Sequence, residues 1–172
     1  FDADTANGIR SVMSDRRGMG KPIYRPNGST GLTFSSGVNT PTVNVVDGVA
    51  WITTPVGAHC EVTLPTLSAR LAPQTFCIDI EADDWSNCSS TTVYLATTGY
   101  TAFWLRTFNP AASDKSAASE VSGVGRRRMY SDRRALIGTN SPNFATTQVT
   151  TQKIRVTPKS GKQVTFCVRG VD

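Results

Sequence analysis

The chain has a single histidine, His59, and no second one for it to work with. H-E-x-x-H metalloprotease chemistry is thereby excluded, and histidine-rich metal centres with it. Four cysteines are present, Cys60, Cys77, Cys88 and Cys167, but none forms a C-x-x-C pair. A structural zinc site needs such paired spacings, so no metal and no other cofactor is expected. The four cysteines allow three disulfide connectivities. A core of this size stands without bridges, so free, partly buried thiols are the expectation. The G-x-S-x-G elbow of serine hydrolases is also missing. Charge is scarce, 18% of residues against the usual quarter. No apolar run approaches the ~18 residues of a membrane span, so no membrane insertion is expected. The opening Phe1-Asp2-Ala3-Asp4 is acidic where a secretory leader is basic and then apolar. A start without Met and an end at Gly170-Val171-Asp172 read as a domain cut from a longer protein.

What fills the space is Thr, Ser, Val and Gly, a mixture that favours strands and turns. The 172 residues, 38% of them hydrophobic, suit one domain with a proper core. A formal charge of +5 is a mild attraction for polyanions, either nucleic acid or an acidic polysaccharide. Residues 1–30 are rich in Gly, Arg, Asn and Pro without a clear period. They read as a linker or N-terminal extension, with a short helix around 7–14. Residues 31–172 read as the folded domain. Strands are expected at 43–46 and 49–53, joined by Asp47-Gly48, a dipeptide suited to the positive φ angles of a tight hairpin. Others are expected at 61–64, 92–97, 101–108, 149–157 and 162–169. Residues 109–125, small and polar, read as a long surface loop. Ser-Asp-Arg-Arg occurs at 14–17 and at 131–134, but the flanks do not match and no true repeat follows.

The stretch F-C-I-D-I-E-A-D-D-W, residues 76–85, is the most charged of the strand-like segments. Phe76, Ile78, Ile80 and Ala82 alternate with Cys77, Asp79, Glu81 and Asp83, the period of a half-buried strand. The acids at 79, 81 and 83 would then share a solvated face, about 6.6–7 Å apart per two residues, too far for neighbours to grip one ion. Short strands, frequent turn signals and little helical period predict an all-β fold. The expected architecture is an antiparallel β-sandwich of the jelly-roll type, about eight to ten strands in roughly 140 residues.

Catalysis finds little support. His59 and Cys60 are strand neighbours that point to opposite faces. Asp83 and Asp84 are the acid pair for glycoside hydrolysis, yet adjacent residues rarely straddle a bond. Sugar binding finds more. A pyranose needs a flat aromatic face together with amides, carboxylates or guanidinium groups for its hydroxyls. Asp83, Asp84, Trp85, Asn87, Tyr94 and Tyr100 supply these within twenty positions. Trp51 and Trp104 are expected in the core. Five arginines, Arg126, Arg127, Arg128, Arg133 and Arg134, could hold an anionic ligand or an interface. The bland alternative is a solvated edge, or partners such as Asp79 and Glu81 on a neighbouring strand or subunit. A small viral coat protein would also be a jelly roll with arginines, but its basic run normally lies in a disordered terminal arm; here the run is internal, and nucleic acid is the disfavoured partner.

The order of features also carries a resemblance. Asp47-Gly48-Val49-Ala50-Trp51, F-C-I-D-I-E-A-D-D-W-S-N-C-S-S-T-T-V-Y-L, Y-T-A-F-W and I-R-V-T-P-K-S-G-K-Q-V-T-F-C-V-R-G-V follow one another. Together they resemble the concanavalin-like (laminin-G-like) jelly-roll modules of bacteriophage tail fibres and tailspikes, over roughly residues 31–172. Such modules often precede a polysaccharide deacetylase or esterase domain. The resemblance implies a non-catalytic carbohydrate-binding or receptor-recognition module that contacts host cell-surface polysaccharide. It also implies other domains or subunits of the tail protein as partners, a homotrimer among them. The location implied is the virion, outside the cell after synthesis in the bacterial cytoplasm. The alternatives are a structural or trimerisation spacer, and a polysaccharide-modifying enzyme domain. Many lectins of this fold hold calcium, but no D-x-[DN]-x-[DN]-G loop is present here.

Overall fold

Alternation along the strands builds two sheets whose inner faces meet. The computed structural model describes residues 24–65, 75–97, 103–108, 119–121, 126–132, 139–140 and 150–171. Among them are twelve strands: β1 (Thr33–Ser36), β2 (Thr42–Val46), β3 (Val49–Thr53), β4 (Cys60–Thr63), β5 (Thr75–Ala82), β6 (Cys88–Ala96), β7 (Phe103–Phe108), β8 (Ser119–Val121), β9 (Arg126–Asp132), β10 (Thr139–Asn140), β11 (Thr151–Pro158) and β12 (Thr165–Val171). They form two six-stranded sheets, β1-β4-β11-β6-β7-β10 and β2-β3-β12-β5-β9-β8. Every pairing between these strands is antiparallel. The fold is thus the antiparallel sandwich that the alternation predicts, of the jelly-roll type.

The count exceeds the expected eight to ten because short edge strands carry too little pattern to be read. β8 lies inside the stretch expected to be loop, and β9 holds the basic run. The helix expected at 7–14 lies outside the described residues. Within the segment read as a linker, Tyr24 is buried and exchanges two backbone hydrogen bonds of 3.1 Å with Val171. Gly28 donates its N–H to the Gly48 carbonyl at 2.8 Å.

The core lies between the sheets. Ile52, Ile78, Ile80, Val168 and Phe166 come from one sheet; Val62, Val93, Leu95, Ile154 and Val156 come from the other. Each such side chain contributes about 1.5–3 kcal/mol by leaving water. Cys60 and Cys88 are free thiols buried in the core, as expected where the core needs no bridges, and Cys167 is buried as well.

Three expectations are corrected. Ile78, Ile80 and Ala82 do face the core, but the acidic face opposite them is not uniformly wet. Asp79 is only 7% exposed and Glu81 is half-buried. β5 is an inner strand between β12 and β9, so its outer face is flanked by a strand on each side and is not an open edge. Trp51 is not in the core: it is half-buried on the outer side of β3, between inward-facing Ala50 and Ile52. The strand expected at 92–97 begins earlier, at Cys88, directly after a single 3-10 turn at Trp85–Asn87.

Candidate functional site

The outer face of the first sheet is set by β4, β11, β6 and β7. Because Val62, Ile154 and Val93 turn inward, their neighbours Glu61, Lys153, Arg155, Thr92 and Tyr94 turn outward. Cross-strand register arranges them in two rows. One runs Ser35, Glu61, Arg155, Thr92, Thr107. The other runs Thr33, Thr63, Lys153, Tyr94, Leu105, Thr139.

Glu61 is the hub. Its side chain is 10% exposed and takes a 2.6 Å ion pair from Lys153 Nζ through Oε2. Arg155 Nε donates to Oε1 at 2.8 Å, and Arg155 Nη2 makes a second, shorter contact with the same oxygen. Ser35 Oγ adds a hydrogen bond at 3.4 Å. Burial pushes the Glu61 carboxyl up, but hydrogen bonds and charge from Lys153 and Arg155 outweigh it and hold the group below the ordinary carboxylate range. The pinned Arg155 guanidinium lies over the Tyr94 ring, 5.2 Å from its centroid. Tyr94 is half-buried, with half-buried Leu105 as its register partner and the Thr92–Thr107 hydroxyl pair, 2.9 Å, in the adjoining row. An aromatic ring, an aliphatic neighbour, hydroxyls and a fixed ion triad therefore share one sheet surface.

The acids and Trp85 offered by the sequence lie elsewhere. Asp83 Oδ1 accepts backbone N–H groups of Asp84 at 2.7 Å and Thr165 at 3.0 Å. Asp84 caps the 3-10 turn, accepting from Ser86 N–H at 2.8 Å and from Asn87 Nδ2 at 3.2 Å. The Ser86 hydrogen bonds, aided by Lys159 and Lys162, keep its carboxyl below the ordinary range. These groups hold a corner between the sheets. Trp85, 5% exposed, belongs to the core cluster, so its ring is a lid on the core and not a surface for a ligand. Tyr94 lies six residues along β6 from Cys88, roughly 20 Å from this corner. The structure thus separates Asp83, Asp84, Trp85 and Asn87 from Tyr94.

Arg126 and Arg128 in β9 are the register partners of Glu81 and Asp79, and Arg127 that of Ile80. Tyr100, Arg133 and Arg134 lie outside the described residues. Trp104 is the register partner of core residue Leu95. Cys60 is fully buried, and burial, then the charge of Glu61, pushes its thiol up to about 12. Among the described residues, no group of three His, Cys, Asp or Glu side chains could hold a metal.

Sequence reading missed Glu61, Lys153 and Arg155. Their signal is visible in T-Q-K-I-R-V-T, where alternation sets Lys153 and Arg155 on one polar row. Nothing in the sequence sets that row beside Glu61, ninety positions earlier.

No family model and no curated protein matches the chain. Solved structures do. A family 11 carbohydrate-binding module from Clostridium thermocellum, in complex with a β-1,3-1,4-mixed-linked tetrasaccharide, is 9% identical with a TM-score of 0.53. The match covers 88% of this chain and 92% of that one. A structure of β-sandwich superfamily carbohydrate-binding modules is 13% identical, TM-score 0.52, over 88% of this chain and 61% of that one. An agarase is 12% identical, TM-score 0.54, over 88% of this chain and 24% of its own length. At these identities the likeness establishes the β-sandwich fold.

Proposed function

We propose that the domain is a non-catalytic carbohydrate-recognition module that takes polysaccharide on the outer face of the first sheet. The observation that carries this reading is Tyr94, half-exposed in mid-sheet beneath a guanidinium pinned by Glu61. A sugar ring presents an apolar C–H face and equatorial hydroxyls. Tyr94 and Leu105 suit the first, while Lys153, Arg155, Thr92 and Thr107 suit the second. The fold of modules whose names state carbohydrate binding supports the same reading. The resemblance to phage tail modules extends it to host surface polysaccharide, with the tail of a virion as setting and a homotrimer as assembly.

Native electrophoresis through gels containing mixed-linked β-glucan, agarose, polygalacturonate or bacterial lipopolysaccharide tests the reading. At least one polymer should retard the chain, and Tyr94→Ala should weaken that retardation about tenfold, the value of roughly 1.4 kcal/mol in aromatic contact. A specific observation favours a second reading, the structural spacer: Val45 and Val46 of edge strand β2 are 53% and 52% exposed. A stable trimer that no polymer retards would decide for it.

A further inference from the structure

The outer face of the second sheet repeats the same three chemical groups on different strands. Trp51 of β3 stands outward, half-buried, with the Arg169 guanidinium 5.5 Å from its ring centroid. Arg169 Nε donates to Glu81 Oε2 at 2.8 Å. Aromatic ring, guanidinium and carboxylate therefore come from β3, β12 and β5 here, and from β6, β11 and β4 on the Tyr94 face. Arg169 reaches this position through a β-bulge: Val168 pairs with Ile80 and Gly170 with Asp79, leaving Arg169 as the extra residue. Bulges re-aim side chains in this way. Around the indole, Asn44 is exposed and is the register partner of Trp51. Thr53 and Thr165 share a hydroxyl hydrogen bond of 3.0 Å. Cys167, the register partner of Glu81, occupies the same outward row yet is fully buried, so side chains roof this part of the sheet.

We propose that the Trp51 face is a second polysaccharide platform, so that one domain grips two glycan strands, one on each side of the sandwich. This rests on the carbohydrate reading of the Tyr94 face. The two sheets are stacked about 10 Å apart with outer faces turned away from each other, so one bound strand cannot lie flat on both. The indole supplies the apolar surface; the Asn44 amide, the Glu81 carboxylate and the Arg169 guanidinium supply acceptors and donors for hydroxyls. Two contacts on one polymer mesh strengthen retention by multivalency, without any contact between the sites.

The experiment uses the full chain, Trp51→Ala, Tyr94→Ala and the double variant against the four polymers named above. Each single variant should be retained roughly tenfold more weakly than wild type, and the double variant not at all. Polymer should still shift tryptophan emission in Tyr94→Ala, but not in Trp51→Ala. Asn44→Arg, an exposed change that crowds the same face, should repeat the weakening if Trp51→Ala does not fold. Unchanged retention of Trp51→Ala and Asn44→Arg, with loss in Tyr94→Ala, overturns the second platform and leaves the first standing. Loss in Trp51→Ala with Tyr94→Ala unaffected leaves one platform on the other face, overturning both assignments. Wild type that no polymer retards overturns both as well.

Discussion

Single side chains decide how this sandwich spends its polar groups. Gln152 faces inward from β11, fully buried, and among the described residues neither its amide nitrogen nor its amide oxygen has a hydrogen-bond partner. An unmet buried amide costs about 1–3 kcal/mol, so Gln152→Leu, similar in volume, should raise stability by roughly that amount in urea unfolding. A lower midpoint would show that the amide has a use. Glu61 is the opposite case, a buried acid fully engaged. Glu61→Gln should cost about 1–3 kcal/mol at neutral pH, less than a fully buried pair because Arg155 and Lys153 reach solvent. The sign of its pH dependence follows from the lowered carboxyl. Its folded value lies below the ordinary 4.5, so the stabilisation is present above that pH and is lost as pH falls through the folded value. Urea titrations from neutral to acid pH should show the gap between wild type and Glu61→Gln closing in the acid range. A gap that stays constant would remove Glu61 as the cause.

At the scale of elements, the β2–β3 hairpin and the β5–β6 corner show what local chemistry controls. Asp47 has φ 49° and Gly48 φ 72°, the left-handed pair that a two-residue hairpin requires. A Cβ at Gly48 would meet nothing within 4 Å, so the cost of Gly48→Ala is backbone strain alone. It should lower stability by about 1 kcal/mol in urea unfolding and leave polymer retention unchanged. This turn was legible because both of its determinants are neighbours in the chain. The alternation of β5 was legible for the same reason. Its wet face was not, since whether Asp79 meets water depends on strands β9 and β12, far away in sequence. The roles of Asp83, Asp84 and Asn87 escaped likewise: composition cannot distinguish a carboxylate that caps a turn from one that waits for a ligand.

For the whole molecule, the described chain closes on itself. Tyr24 pairs with Val171, buries its ring in the core, and ties the first described segment to the last strand. Tyr24→Ala should therefore lower stability by roughly 3 kcal/mol, as removal of a large buried ring does. A thermal melt checks this, and an unchanged midpoint would make the segment a passive attachment. The sandwich itself is what gives the proposed module two outer faces, each with its own aromatic ring and ion pair.

By itself the sequence determined the all-β class, the inward row of β5, and the Asp47-Gly48 turn, because a period of two and a turn dipeptide act between near neighbours. Tertiary structure alone decided which outward residues meet. Glu61 joins Lys153 and Arg155, Trp51 leaves the core for Arg169, and Trp85 enters it, because register between distant strands is a cooperative choice of the whole core.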